Sequence, residues 1–329
     1  MGGTLDIRTF YFPLRHLFPC TFNIALGLRT RVRLMPYHKD RIKISSKGFK
    51  SAEYSIGRVP FVHPLGLMFA AGAYFNVKDV HVRIESQSPP RSALGGSSAA
   101  VVALIAAYSK LCQKASKVEP LSRSQMAILA QVLEETVAGV PCGFQDQLAA
   151  IFGGVNAWNW PRRINSPQFR KKVVVPKRQH KHFEKHLLVA YCGQPHVSKD
   201  INGRWVQQFL KGRFRHLWAD IITCTRQFVA AVADRHYTLA GKLMNRETAL
   251  RQKMTPDVLD KIGIQLAKSA RTSKCGARFT GAGGGGCVWA LGEIENIDRL
   301  RSLWEEILSS EKEARLLDVK IDSQGLVVH

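Results

Sequence analysis

A mixed α+β fold of two lobes is what the sequence predicts, and three observations point to it. The chain has 329 residues, and domains of roughly 150 residues make two the expected number. Strand-length runs interleave with longer helical patterns in both halves, instead of segregating into all-α or all-β regions. A basic stretch from Arg162 to Lys185 marks the expected seam, between lobes of residues 1–160 and 161–329.

The elements follow in order. Thr21 to Leu34 alternates polar and apolar residues over part of its length, as strands with one wet face do. Arg41 to Ser45 and Val80 to Glu85 read as further short strands. Ser97 to Leu111 is small and apolar, without Pro or Gly, the pattern of a buried helix. Ser124 to Ala138 sets Met126, Leu129, Val132 and Leu133 on a helical pattern, and Gly139 and Pro141 stop it. Gly153 to Trp160 and Leu187 to Cys192 read as strands, and helical patterns dominate from Asp200 to Ser273. Gly276 to Thr280 leads into a glycine run. A strand at Cys287 to Leu291, a helix at Asn296 to Ser309 and a strand at Leu316 to Ile321 complete the chain.

Composition excludes several classes. Hydrophobic residues make up 45% and charged residues 22%, ordinary for a globular protein with a substantial core. The formal net charge is +23. Such a surplus suits a basic surface or a phosphorylated metabolite, and could attract nucleic acid. No RNA- or DNA-binding signature accompanies the charge, so nucleic acid is not the expected partner. Short basic clusters occur at Arg162-Arg163, Arg170-Lys171-Lys172 and Lys177 to His182. They read either as a solvated loop or as a local anion-binding patch. The seven cysteines form no CxxC pair and are odd in number, which argues against a zinc ribbon or a disulfide scaffold. Asp6 and several basic residues interrupt any N-terminal apolar run. No stretch approaches the roughly 20 apolar residues that span a bilayer. A cytoplasmic protein with no membrane partner is the expectation.

Three segments carry chemistry. Pro89 to Ala100 combines a Pro-Pro turn, Gly95-Gly96, Ser97-Ser98 and then an apolar helix. A helix N-terminus behind glycines exposes N–H groups and partial positive charge, which suits a phosphate. A serine there can also meet Mg2+. A plain N-capped helix is the alternative. No Walker A ending is present. In the second segment, Glu134-Glu135 closes a helix and Asp146 stands between Gln145 and Gln147, ahead of an apolar run. In phosphoryl transfer one carboxylate orients and deprotonates the acceptor hydroxyl, and another holds Mg2+. Asp146 as the cap of a helix starting at Gln147 is the alternative. The third segment, Gly281 to Gly286, formally matches G-x-G-x-x-G but precedes a strand, so it is not a dinucleotide fingerprint.

In this order the segments resemble the GHMP kinase superfamily, in particular its D-glycero-D-manno-heptose phosphate kinase branch. Pro90 to Ala99 resembles the central nucleotide motif Pro-x-x-x-Gly-Leu-Gly-Ser-Ser-Ala, and Thr280 to Gly286 the C-terminal glycine motif. Gly143 to Gln147 with Phe152 to Asn156 is similar to the catalytic-Asp segment of the heptose branch, and Gly2 to Asp6 to its substrate loop.

The resemblance implies a ribosomal-protein-S5-like N-terminal lobe with a left-handed βαβ crossover, and a ferredoxin-like C-terminal lobe. It implies ATP and Mg2+, a phosphotransferase with an alcohol group as acceptor, and a sugar or sugar-phosphate substrate, with a heptose phosphate favoured. A homodimer is compatible with it. Asp146 falls on the catalytic base. Pro90, Ser92, Leu94, Gly95, Gly96, Ser97 and Ser98 fall in the phosphate loop, and Gly281, Gly283 and Gly284 in the loop that buttresses it. Ser97 (or Ser98) and Glu134 (or Glu135) fall on the metal ligands. Thr4, Asp6 and Gln145 fall on acceptor contacts. Arg91 and Ala93 stand where the family prefers Gly, and Gly96 where it prefers Ser. Family members also carry a Lys or Arg on a strand ahead of the Gly2-Gly3 loop, and the expectation is that these residues do not include it. A catalytically weak GHMP-fold binding or regulatory protein is therefore the alternative function.

Overall fold

The computed structural model describes residues 1–116, 119–139, 141–161, 168–193 and 198–329. In chain order the strands are β1 (Cys20–Ile24), β2 (Thr30–Pro36), β3 (Arg41–Ser46), β4 (Ala52–Ser55), β5 (Val80–Ser86), β6 (Val155–Asn159), β7 (Arg170–Val175), β8 (Leu187–Tyr191), β9 (Gly276–Phe279), β10 (Cys287–Leu291) and β11 (Arg315–Leu316). The helices are α1 (Arg8–Tyr11), α2 (Gly66–Tyr74), α3 (Gly96–Ser116), α4 (Arg123–Ala138), α5 (Gln145–Phe152), α6 (His180–Phe183), α7 (Ser198–Leu210), α8 (Arg215–Ala233), α9 (Tyr237–Met254), α10 (Lys261–Thr272) and α11 (Ile294–Leu308).

Two compact units form. One takes residues 1–27, 91–94 and 153–323, and the other residues 28–90, 95–152 and 324–329. This differs from a single seam at 160/161. The first residues join the C-terminal half because β1 pairs antiparallel with β6, Phe22 opposite Ala157.

In the smaller unit, β2, β5, β3 and β4 form one sheet. Neighbours β3 and β5 run parallel, linked by a crossover through β4 and α2. Val80, Val82 and Ile84 alternate with His81 and Arg83 along β5. The register sets Ile42 opposite Val80 and Ile44 opposite Val82, so one face of the sheet is apolar. Against that side pack α2 and α3. The middle of α3 is buried at Val101, Leu104, Ile105 and Tyr108, as a helix of small and apolar residues requires. A capping box starts α4: Ser122 accepts from the Gln125 N–H, and Gln125 accepts in return from the Ser122 N–H. Gly139, in the left-handed conformation, ends it.

In the larger unit, β8 to β11 and the intervening helices run β-α-β-β-α-β. The spatial order β11-β8-β10-β9 is the ferredoxin-like arrangement. The sheet's helices are α9, α10 and α11. A three-stranded sheet, β1-β6-β7, packs against α8 through β1 and β7. Large apolar side chains fill the core, among them Trp205, Trp218, Ile221, Phe228 and Trp304.

Some expectations change. The run Thr21 to Leu34 divides into β1 and β2. The strand at Leu316 to Ile321 shortens to Arg315–Leu316. Leu317 N–H still donates to β8, at Val189 O (2.8 Å), and by Ile321 the chain bridges Leu26 instead. Unforeseen were β4, the glycine-bearing α2, and β7. Of the basic clusters, Arg170-Lys171-Lys172 is the exposed part of edge strand β7, while Arg162-Arg163 lies outside the described residues. Lys177 to His182 forms a short 3₁₀ turn and α6. Five cysteines are buried, and burial pushes the thiols up, Cys20 and Cys275 to about 11 and Cys224 and Cys287 to about 12. No helix among the described residues is long and apolar enough to cross a membrane.

Candidate active site

The first turn of α3 is where the serines of the central motif sit. Ala99 N–H donates to Gly95 O (2.9 Å), so the helix opens directly behind Gly95. Geometry leaves the first-turn N–H groups without intrahelical acceptors, at the positive end of a 21-residue helix. From α4, Glu134 reaches this turn. Its carboxylate accepts from Ser97 Oγ (3.2 Å), Ser98 Oγ (2.7 Å) and Gln147 Nε2 (2.7 Å). Glu135 turns elsewhere and accepts from Gln131 Nε2 (3.0 Å). Of the two carboxylates, the structure therefore brings Glu134 to the serines. Both serines reach it, Ser97 from an exposed position and Ser98 from a buried one. Burial pushes the Glu134 pKa above the ordinary value, against the pull of the three hydrogen bonds.

Asp146 lies in the first turn of α5, which begins at Gln145, so it is not the cap of a helix starting at Gln147. It packs directly against the glycine loop. Gly95 has φ +69, and a Cβ built on it would come within 2.9 Å of Asp146 Cβ and Cγ. Only glycine tolerates both that conformation and that approach. The candidate base, the candidate metal ligand and the helix N-terminus thus belong to one cluster in the smaller unit.

Hard oxygen donors dominate the cluster, which fits Mg2+. Besides the Glu134 carboxylate and two hydroxyls there is Gln147 Oε1, buried and without a hydrogen-bond partner among the described residues. No group of three or more His, Cys, Asp and Glu gathers among those residues. A cation would rely on phosphate oxygens for the remainder of its shell, as Mg2+ does with nucleotides.

In the larger unit the C-terminal glycine run lies against Ser92 and Ala93. A Cβ on Gly286 would approach Ser92 O to 2.7 Å and Ala93 Cβ to 2.9 Å; one on Gly281 would lie 3.8 Å from Ala93. Gly283 and Gly284 instead meet Val258, with Gly284 N–H donating to Val258 O (2.9 Å). Ser92 is buried, Leu94 packs onto the apolar core and Pro90 is exposed. Arg91 (φ +54) and Ala93 (φ +58) both take left-handed backbone, the conformation that glycine adopts without strain.

The Gly2–Asp6 loop also belongs to the larger unit. Thr4 and Asp6 are 4% and 1% exposed, so neither is a surface side chain. Thr4 Oγ1 donates to Gly3 O and accepts from Arg251. Gln145 is the partly buried first residue of α5 in the other unit. The sequence did not single out Gln147, which contacts Glu134, nor, in the larger unit, Gly286 and the Thr4 partner Arg251. The Gln-Asp-Gln triplet was a signal for the first. The second lay within the matched glycine motif.

Residues 65–154 match the family model of the GHMP kinases N terminal domain. Mevalonate kinase of Pyrococcus abyssi is 25% identical over 307 residues, covering 88% of this chain and 81% of that protein. Galactokinase of Lactococcus lactis, solved with galactose, superposes with a TM-score of 0.73 at 16% identity, covering 98% of this chain and 91% of that one. A D-glycero-D-manno-heptose 1-phosphate kinase from Bacteriodes thetaiotaomicron gives a TM-score of 0.68 at 14% identity, covering 98% and 93%. Residues 65–154 therefore match the GHMP kinases N terminal domain, and the chain shares the fold of these kinases. Galactokinases, mevalonate kinases and heptose phosphate kinases are its relatives and structural neighbours.

Proposed function

We infer that this protein transfers a phosphoryl group from ATP to a hydroxyl of a sugar or sugar phosphate, with a heptose phosphate the favoured acceptor. The observation that carries this reading is the cluster of Ser97, Ser98, Gln147 and Glu134 at the start of α3, with Asp146 against Gly95. In this reading the α3 N-terminus and the glycine loop, Gly95 and Gly96 included, hold the triphosphate. Ser97 and Glu134 hold Mg2+, with Ser98 and Gln147 fixing the orientation of the Glu134 carboxylate. Bound there, Mg2+ would neutralise charge on the transferring phosphoryl group. Asp146 accepts the proton of the attacking hydroxyl. Gly281 and Gly286 shore up the Ser92–Ala93 segment. Thr4 and Asp6 in the larger unit, and Gln145 in the smaller, each take an acceptor-contact role from the family resemblance, and the Gln145-Asp146-Gln147 signature is what favours a heptose phosphate over galactose or mevalonate.

Coupled ADP release with MgATP, measured across heptose phosphates, galactose and mevalonate, tests the reading. The expected result is acceptor-dependent ADP release, fastest with a heptose phosphate. Release with no acceptor faster than buffer would reject phosphotransfer. Preference for mevalonate would reject the sugar assignment.

A further inference from the structure

The larger unit buries an ionic cluster that the proposed chemistry does not use. Glu247 and Arg251, four residues apart on α9, are both 0% exposed, and Arg278 on β9 is 3% exposed. Glu247 accepts from Arg251 Nε (3.0 Å) and from Arg278 Nε (2.7 Å). The Arg251 guanidinium packs into the corner formed by two indoles, 4.7 Å from Trp205 and 4.6 Å from Trp218. Its two remaining nitrogens point at one segment. NH1 donates to Thr4 Oγ1 (2.9 Å) and NH2 to Gly3 O (2.6 Å).

All three nitrogens of this guanidinium are therefore engaged, and two mutually perpendicular indoles pack beside it. A planar fork with fixed donor directions suits such a task, and an ammonium does not. The segment it grips needs a grip. Thr4 has φ +69, a conformation that β-branched residues rarely adopt and that persists only where the surroundings impose it. Leu5 and Ile7 anchor the same loop in the apolar core, and Leu5 N–H and Ile7 N–H donate to Gly2 O and Thr4 O. The donor of the Thr4 hydroxyl is already committed to Gly3 O.

We propose that Arg251 is a positioning residue for the acceptor: with Glu247 and Arg278 behind it, it clamps Gly3 and Thr4 and sets the shape of the Gly2–Asp6 loop. Thr4 then serves the frame of that loop, and its hydroxyl does not read the acceptor. The acceptor role rests on the kinase reading; the clamp itself does not.

Arg251→Lys keeps the charge facing Glu247 and removes the fork, and Thr4→Val removes only the hydroxyl. Hydrogen–deuterium exchange of the free protein reads the clamp directly. Each variant should speed exchange at Leu5 and Ile7 about tenfold or more while the rest of the chain keeps its protection. Unchanged exchange in both variants overturns the clamp. If Arg251→Lys does not fold, Thr4→Val alone decides this arm. In turnover assays, kcat/KM for the acceptor should fall about a hundredfold in Arg251→Lys, with KM for ATP unchanged. The double variant should be no worse than Arg251→Lys, because both changes break one interaction. Additive losses would show that Thr4 meets the acceptor itself and would overturn its assignment to the frame. A wild type that turns over no acceptor, with loop exchange altered as stated, supports the clamp and rejects the kinase reading instead.

Discussion

Replacing Glu247 by glutamine removes the carboxylate that Arg251 and Arg278 share. The perturbation is nearly isosteric, so its cost is electrostatic. Two guanidinium groups, 0% and 3% exposed, would be left without the counter-charge that now lies 3.0 and 2.7 Å away. The new amide would also turn an N–H donor toward donors. Breaking a buried pair by removing one partner costs about 3–5 kcal/mol, and two dependent cations argue for the upper half of that range. The electrostatics around the native carboxylate point to the same scale. Although burial raises the Glu247 pKa, Arg278 and Arg251 outweigh it and hold it at about 2 against 4.5. That difference is worth about 3 kcal/mol. The sign follows from the depressed value: this contribution is present above pH 4.5 and is lost as pH falls toward 2. Arg251, drawn down to about 10 by burial, shows the other side of two cations sharing one anion. Against a total stability of about 5–15 kcal/mol, a loss of about 4 is severe. Urea unfolding of wild type and Glu247→Gln at pH 7 measures it, with Asp257→Asn as control. Asp257 pairs with Arg204 at the surface, and loss of that pair should cost under about 1 kcal/mol. Equal midpoints for Glu247→Gln and the control would refute the reasoning.

Three further outcomes follow. Ala93→Gly should raise stability by about 0.5–1 kcal/mol, because relief of left-handed strain exceeds the added freedom of the unfolded chain; a lower melting temperature would contradict the strain. Gly286→Ala should raise KM for ATP and destabilise by about 1–3 kcal/mol, since its methyl would meet Ser92 O at 2.7 Å at a positive φ; wild-type melting and ATP affinity would show that the glycine loop does not brace Ser92. For Glu134 burial fixes the sign in the metal-free protein: its carboxylate should take up a proton on acidification above the ordinary glutamate value of 4.5. Carboxyl-resonance titration of the metal-free protein checks this, and a midpoint at or below that value would sink it.

Much of the smaller unit was legible in the sequence because its signals are local. A glycine-serine run ahead of a small, apolar stretch announces a helix N-terminus, and α3 starts there. The choice between Glu134 and Glu135 depends on helical phase, which adjacent residues leave open. A clue was nevertheless present, since Gln131 stands one turn before Glu135 and takes it as partner. The membership of the first 27 residues was not legible, because β1 finds β6 across more than a hundred residues and no local pattern reports that pairing. Strand β7 was hidden by its own edge position, where exposed Arg170, Lys171 and Lys172 replace the apolar alternation of an inner strand. The Glu247–Arg251 spacing is readable on a helix, but its targets Gly3 and Thr4 lie 248 and 247 residues away.

The central claim is that Asp146 accepts the acceptor's proton in an ATP-dependent phosphotransfer. Steady-state ADP release by Asp146→Asn, with ATP affinity measured in parallel, tests it most directly. The account predicts near-wild-type ATP binding and a loss of turnover of about 10²–10⁴-fold. Turnover within a fewfold of wild type, at unchanged ATP affinity, would contradict it.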